Sequence, residues 1–156
     1  MLPAPLRDSL ALALAGEGAL RFDEPMARHT TLRIGGSADA FIAPSSVAAL
    51  QRVRAACAEL GLPCQAVGGG SNLLVLDGGV RGALLSTDGL RGLSFGPASA
   101  AARAAAPEEL RGRAEGARVE AGVTTGKLLS EATRRGLGAL EFLGGVPGSV
   151  GGGLVM

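Results

Sequence analysis

Gly68-Gly69-Gly70-Ser71-Asn72-Leu73-Leu74-Val75-Leu76 is the stretch from which the rest of the chain can be read. Three glycines lead into two small polar residues and then into an apolar run. Glycine brings backbone N–H groups up to an anion with no Cβ in the way, including at positive φ. A Walker loop would place Lys and then Ser or Thr after its glycines and continue into a helix. Here Ser71 and Asn72 follow, and residues 73–76 read as a short buried strand. A dinucleotide-binding Rossmann turn also opens a helix directly after its glycines, so it fits no better. The pattern is that of a phosphate cradle between two strands, with a ligand-free glycine turn as the alternative.

Outward from this turn the chain alternates strand and helix. Residues 40–43 form a strand that ends at Pro44, and Ser45-Ser46 supplies an N-cap. Val47, Leu50, Val53, Cys57 and Leu60 then recur at helical spacing until Gly61 and Pro63 stop the helix. Residues 65–67 form the strand that enters the glycines, so residues 40–67 read as a βαβ unit making a parallel pair. Residues 31–34, 73–76 and 83–85 are further short strands, with Asp77-Gly78-Gly79 turning between the last two. Residues 6–16 form a short amphipathic helix stopped by Gly16. Residues 96–118, rich in Ala, Arg and Glu with Pro97 and Pro107, read as a surface excursion, partly helical or disordered. Residues 118–121 form a strand, and Thr124 or Thr125 caps a helix that runs to Arg135 before Gly136, with Arg134 and Arg135 near its negative end.

Composition narrows the function classes. The 156 residues suit one ordinary domain, and a 47% hydrophobic content can build a core, mostly of small side chains. The aromatic residues are Phe22, Phe41, Phe95 and Phe142, while 26 glycines and 8 prolines make the chain loop-rich. A net charge of +1 gives no global pull toward nucleic acid or an anionic membrane, so an anion site has to come from local geometry. Cys57 and Cys64, with no His or carboxylate cluster beside them, read as free thiols in a reducing compartment. The single histidine, His29, reads as structural. The apolar run at 10–15 is too short for a signal peptide and follows Pro3, Pro5 and Asp8, and no segment has the length of a membrane span. The expected location is cytoplasmic.

Three segments belong together. They are His29-Thr30-Thr31-Leu32-Arg33-Ile34-Gly35-Gly36, the 68–74 turn, and Leu140-Glu141-Phe142-Leu143-Gly144-Gly145-Val146-Pro147-Gly148-Ser149-Val150-Gly151-Gly152. Their order and spacing resemble the bacterial UDP-N-acetylenolpyruvoylglucosamine reductases, also called UDP-N-acetylmuramate dehydrogenases. The resemblance covers about residues 22–156 apart from 96–118, and leaves residues 1–21 as an N-terminal helix and lead-in. It implies an α+β fold: an FAD-binding domain of the vanillyl-alcohol-oxidase type, with a small βαβ lobe and an incomplete second α+β lobe. It also implies reduction of the enolpyruvyl ether of UDP-N-acetylglucosamine in peptidoglycan synthesis. In that family NADPH gives a hydride to FAD, the flavin passes it to the vinyl carbon, and a serine protonates the neighbouring carbon while an arginine and a glutamate stabilise the intermediate.

Carried over by residue, the resemblance is confined to flavin binding. Gly68, Gly69, Gly70, Ser71 and Asn72, with Leu73 beside them, are expected at the FAD pyrophosphate. Gly145, Val146, Pro147, Gly148 and Ser149, with Gly151 and Gly152, are expected to form the second wall, and Thr31, Leu32, Arg33 and Ile34 to border the flavin. The implied partner is a nucleotide-sugar substrate, with no nucleic acid, membrane or metal. In the family, Asn-Ala-Gly-Ala-Tyr-Gly and the catalytic arginine, serine and glutamate come later than Met156. No residue here is therefore read as catalytic, Glu141 included, and the chain reads as a truncated cofactor portion, inactive alone and weak in FAD binding. Two other readings stay open: a different flavin-dependent oxidase or dehydrogenase of the same fold, and a non-catalytic nucleotide-binding fragment. Oxidases of that group often attach flavin through His or Cys near the first glycine loop, where Gly70-Ser71-Asn72 offers neither.

Overall fold

Pro44-Ser45-Ser46 converts a strand into a helix in the computed structural model, which describes residues 2–105, 108 and 115–155. Strand β2 (Ser37–Pro44) ends there, and the Ser46 hydroxyl accepts the Ala49 N–H at 3.1 Å to start helix α2 (Val47–Glu59). Ala49, Val53 and Cys57 make up the buried stripe of α2. Gly61, at φ +61, closes the helix, and the chain enters β3 (Cys64–Val67).

The expected βαβ unit is present, with a difference in its pairing. After the glycine turn the chain returns as β4 (Val80–Ser86), which inserts between β2 and β3 and is parallel to both. A fourth strand absent from the sequence reading, β1 (Gly18–Pro25), lies antiparallel on the outer edge of β2, giving the order β1-β2-β4-β3. The two central strands are buried on both faces, hence the continuous apolar pairs Phe41-Ile42 and Leu84-Leu85. Ala40, Ile42, Ala83 and Leu85 face α2 and the N-terminal helix α1 (Ala4–Leu14), which brings in Leu10 and Leu14. Phe41 and Leu84 face the opposite side, where Met26 and Val75 cover them. The register of β2 against β4 slips between Ala38 and Ala40 at Gly82, whose φ of +96 and approach to the Pro63 carbonyl exclude a side chain.

Two expected strands are not strands. Residues 31–34 form a turn: Arg33 sits at φ +53, its N–H donates to the Thr30 carbonyl, and the Thr30 hydroxyl donates to the Ile34 carbonyl at 3.0 Å. Residues 73–76 run extended outside the sheet, with Val75 buried while Leu74 and Leu76 stay exposed. The two segments pair locally, the Gly36 N–H donating to the Leu76 carbonyl at 3.0 Å. Apolar content suggests strands at both places, but Arg33 at positive φ turns the first segment, and the second uses Leu73 and Val75 to cover Phe41 and Leu84 without joining the sheet.

Among the described residues the second lobe contains one antiparallel pair, β5 (Leu93–Pro97) with β6 (Glu115–Val119). The segment read as an excursion at 96–118 therefore contributes to both of these strands, and to helix α3 (Ala100–Ala105). Its residues 106, 107 and 109–114 lie outside the described residues. The strand expected at 118–121 begins earlier and ends at Val119, because Gly122 must pass against the Thr87 carbonyl. Helix α4 (Thr125–Arg134) is capped by Thr124, whose hydroxyl accepts the Lys127 N–H at 3.2 Å. The Arg135 guanidinium lies 4.6 Å from the Phe95 ring centroid, joining α4 to β5. The four-residue helix α5 (Val150–Gly153) follows the second glycine segment.

Both cysteines are free, Cys57 fully buried and Cys64 half-buried. Burial, together with the neighbouring Cys64 thiol, pushes the Cys57 thiol up to about 12. Helix α1 contributes to the main core, since Leu10 is completely buried in the cluster that includes Ala49, Val53 and Cys57 of α2. Leu10→Ala is therefore expected to destabilise the protein by about 2–5 kcal/mol, with an unchanged dependence on urea concentration. A urea titration followed by circular dichroism measures this, and a loss below about 0.5 kcal/mol would show that α1 does not belong to the core.

Candidate functional site

The first glycine turn owes its shape to two opposite demands. Gly70 sits at φ +68, and a Cβ there would collide with the His29 carbonyl oxygen; the Thr31 N–H donates to the Gly70 carbonyl at 3.2 Å. Gly69 has open space where its side chain would be. A side chain at Gly68 would come 3.1 Å from the Ser149 hydroxyl. Gly70 is thus a packing glycine, while Gly69 leaves open a surface that the protein does not fill. Among the described residues, the N–H groups of Gly68, Gly69 and Gly70 donate to no protein acceptor. Consecutive unpaired N–H groups in a turn form a concave donor site for an anion.

The second glycine segment is strapped to residues 121–125. The Thr125 N–H donates to the Gly148 carbonyl at 3.1 Å, and the Thr125 hydroxyl to the Val146 carbonyl at 2.6 Å. The Val150 N–H reaches the Val123 carbonyl at 2.8 Å, and the Gly151 N–H the Ala121 carbonyl at 2.9 Å. Gly145 and Gly148 take φ of +81 and +113, which lets the strap turn twice. The Ser149 hydroxyl accepts the Gly152 N–H at 3.3 Å and caps α5.

Two cavities that share Gly69 and Asp88 adjoin the first glycine turn, and the second of them reaches the second glycine segment. One, of about 390 Å³, is walled by His29, Thr31, Arg33, Phe41, Gly68 and Arg28. The other, of about 610 Å³, is walled by Ser71, Arg91, Gly126, Gly145, Val146, Pro147, Gly148 and Ser149. The first turn of α4 borders the second cavity with its positive end, a further attraction for an anion.

Of the residues singled out in the sequence, Thr31, Arg33, Gly68, Gly69, Ser71, Gly145, Val146, Pro147, Gly148 and Ser149 line this pair of cavities. Leu32 and Ile34 point to solvent instead, and Leu73 packs under the sheet beside Val75. Asn72 flanks the turn outside both linings. Gly151 packs on Ala121, where a Cβ would approach to 2.6 Å, and Gly152 lies in α5. Sequence reasoning missed Asp88, Arg91 and Arg28, which carry no motif. It also left His29 without a partner, although Nε2 lies 3.0 Å from Glu24 and the ring stacks on Phe41 at 3.9 Å.

That histidine is held by a buried carboxylate. Burial pushes the Glu24 carboxyl up, but the hydrogen bonds to His29 and Arg21 and the charges of Arg21 and Arg28 outweigh it and hold it below the usual range. A depressed carboxyl adds stability above its ordinary range and loses it as pH falls through the folded value. The stability advantage of wild type over Glu24→Gln is therefore expected to be full near pH 7 and to shrink toward pH 3. Urea midpoints of both proteins across that range test the sign, and an advantage that grows on acidification contradicts it.

The architecture is the FAD-binding fold of the vanillyl-alcohol-oxidase type, and the chain belongs to the FAD binding domain family, whose pattern matches residues 38–156. Its relatives include UDP-N-acetylenolpyruvoylglucosamine reductases. That of Geobacter sulfurreducens is 44% identical over 153 residues, covering 97% of this chain and 46% of the relative. That of Geotalea uraniireducens is 43% identical over 148 residues, covering 95% and 43%. The chain thus spans about half the length of the curated relatives it matches. Among solved structures, the UDP-N-acetylenolpyruvylglucosamine reductase of Thermus caldophilus superposes with a TM-score of 0.52 at 28% identity, covering 86% of this chain and 40% of that one. A BBE-like 1 protein of Physcomitrella patens gives the same TM-score at 24% identity over 83% and 26%, a likeness of fold. Among the described residues no helix is long and apolar enough to cross a membrane.

Proposed function

We propose that this chain is the FAD-binding portion of a reductase that converts the enolpyruvyl ether of UDP-N-acetylglucosamine to UDP-N-acetylmuramate for peptidoglycan synthesis. The observation that carries the reading is the glycine turn at 68–70, with three N–H groups unpaired among the described residues and an open side-chain position at Gly69, facing the second glycine segment across the larger cavity. These residues fit a pyrophosphate with elongated groups on either side. FAD would supply hydride transfer between NADPH and substrate. The chain's own residues bind and orient: the 68–71 turn takes the phosphate oxygens, and the strap at 145–149 closes the opposite wall. The same reading makes residues 22–156 the cofactor domain and residues 1–21 its structural lead-in. It places the protein in the cytoplasm, with a nucleotide-sugar substrate for the whole enzyme. The 44% identity to a reductase over nearly the full chain favours this reading over another flavin oxidase.

The two neighbouring glycines give the test. A Cβ at residue 69 meets no atom within 4 Å, so Gly69→Val should fold with an unchanged melting temperature. It should weaken FAD binding by about tenfold or more by blocking approach to the turn. Gly70→Val collides with the His29 carbonyl and should lose the fold itself. Titration of FAD into the full chain, read by flavin fluorescence, measures both. Wild-type affinity in Gly69→Val would mean that the turn is not the phosphate cradle.

A further inference from the structure

Asp88 stands at the place common to both cavities, and its chemistry is opposite to its surroundings. The loop after β4 is pinned at each step. The Thr87 N–H donates to the Val67 carbonyl at 2.9 Å and the Asp88 N–H to the Ser86 hydroxyl at 3.3 Å. Arg91 Nε donates to the Asp88 carbonyl at 2.7 Å, and the Leu90 N–H to the Thr87 carbonyl at 2.9 Å. Gly89 passes so close to the Pro44 carbonyl that no side chain fits there. With its backbone groups used inside this rigid loop, Asp88 has its carboxylate left to offer. Among the described residues that carboxylate makes no hydrogen bond or ion pair with the protein.

A carboxylate accepts hydrogen bonds and donates none. Beside a nest of unpaired N–H groups it weakens the binding of a bare phosphate, because like charges repel. Arg28, Arg33 and Arg91 line the same two cavities and offset that repulsion. Such an acceptor suits a ligand that brings hydroxyl donors next to its phosphates. An acidic residue accepting from a ribose hydroxyl performs the same task in dinucleotide folds of unrelated topology.

The geometry points to Asp88 as a specificity-determining residue that accepts a hydrogen bond from a sugar hydroxyl of the bound ligand at the junction of the two cavities. This rests on the FAD reading and deepens it, since FAD carries such hydroxyls on both its ribose and its ribityl chain. Asp88 then discriminates: it disfavours inorganic phosphates and favours a phosphate ester with a polyol beside it.

The test compares wild type, Asp88→Ala, Asp88→Asn and Gly69→Val against FAD, ADP, FMN and inorganic pyrophosphate. Asp88→Ala is expected to weaken FAD binding by about tenfold, with pyrophosphate affinity unchanged or raised and an unchanged melting temperature. Asp88→Asn, which keeps one acceptor oxygen, should fall between. A parallel loss for ADP places the hydroxyl on the ribose, and a parallel loss for FMN places it on the ribityl chain. Equal weakening of FAD and pyrophosphate with a lowered melting temperature would overturn the assignment in favour of a structural role. FAD binding that is lost in Gly69→Val but unchanged in Asp88→Ala overturns this assignment alone. FAD and pyrophosphate affinities that are both unchanged in Gly69→Val overturn the cradle reading and this assignment with it.

Discussion

The passage of Gly70 against the carbonyl of His29 is the constraint on which the site depends. It brings the turn after β3 and the turn after β1 into backbone contact, which only a residue without Cβ at positive φ permits. Two further close passages are of backbone on backbone: Gly122 on the Thr87 carbonyl ties the second lobe to the loop after β4, and Gly89 on the Pro44 carbonyl ties that loop to the end of β2. Backbone on backbone leaves little room for side chains to fill the space between. The cavities are what remains there, walled largely by glycines, N–H groups and a few polar side chains.

The sheet supports this by being buried on both faces. Strand β4 enters between β2 and β3, so the loops at the carboxyl ends of β3 and β4 emerge side by side. One begins the glycine turn and the other carries Asp88. A ligand seat outside the carboxyl ends of parallel strands is the usual place for binding in open sheets. The Glu24–His29–Phe41 stack holds the adjoining turn from below, coupling a buried carboxylate to one wall of the smaller cavity.

Much of the local structure was legible along the chain. Ser46 and Thr124 cap helices as their positions imply, Gly61 and Gly136 end them at positive φ, and the β2–α2–β3 unit follows its periodicity. The misreadings share one cause. Residues 31–34 and 73–76 look like strands by composition, but Arg33 at positive φ turns the first, and Val75 of the second packs on the sheet face, contacts set by distant segments. Strand β1 was overlooked because it pairs on one edge only and shows a mixed pattern of burial.

The sequence by itself determined which residues could approach a phosphate, because glycine and small polar side chains carry that property wherever they sit. It also determined the family, since three motifs in order constrain a chain far more than any one of them. Only the tertiary structure separated Gly69 from Gly70, two identical neighbours of which one faces open space and the other a carbonyl oxygen. Only the tertiary structure brought Asp88 to the junction, and gave His29 a partner. The reason is physical: conformational freedom belongs to a residue, whereas what it meets is decided by segments that may lie tens of residues away.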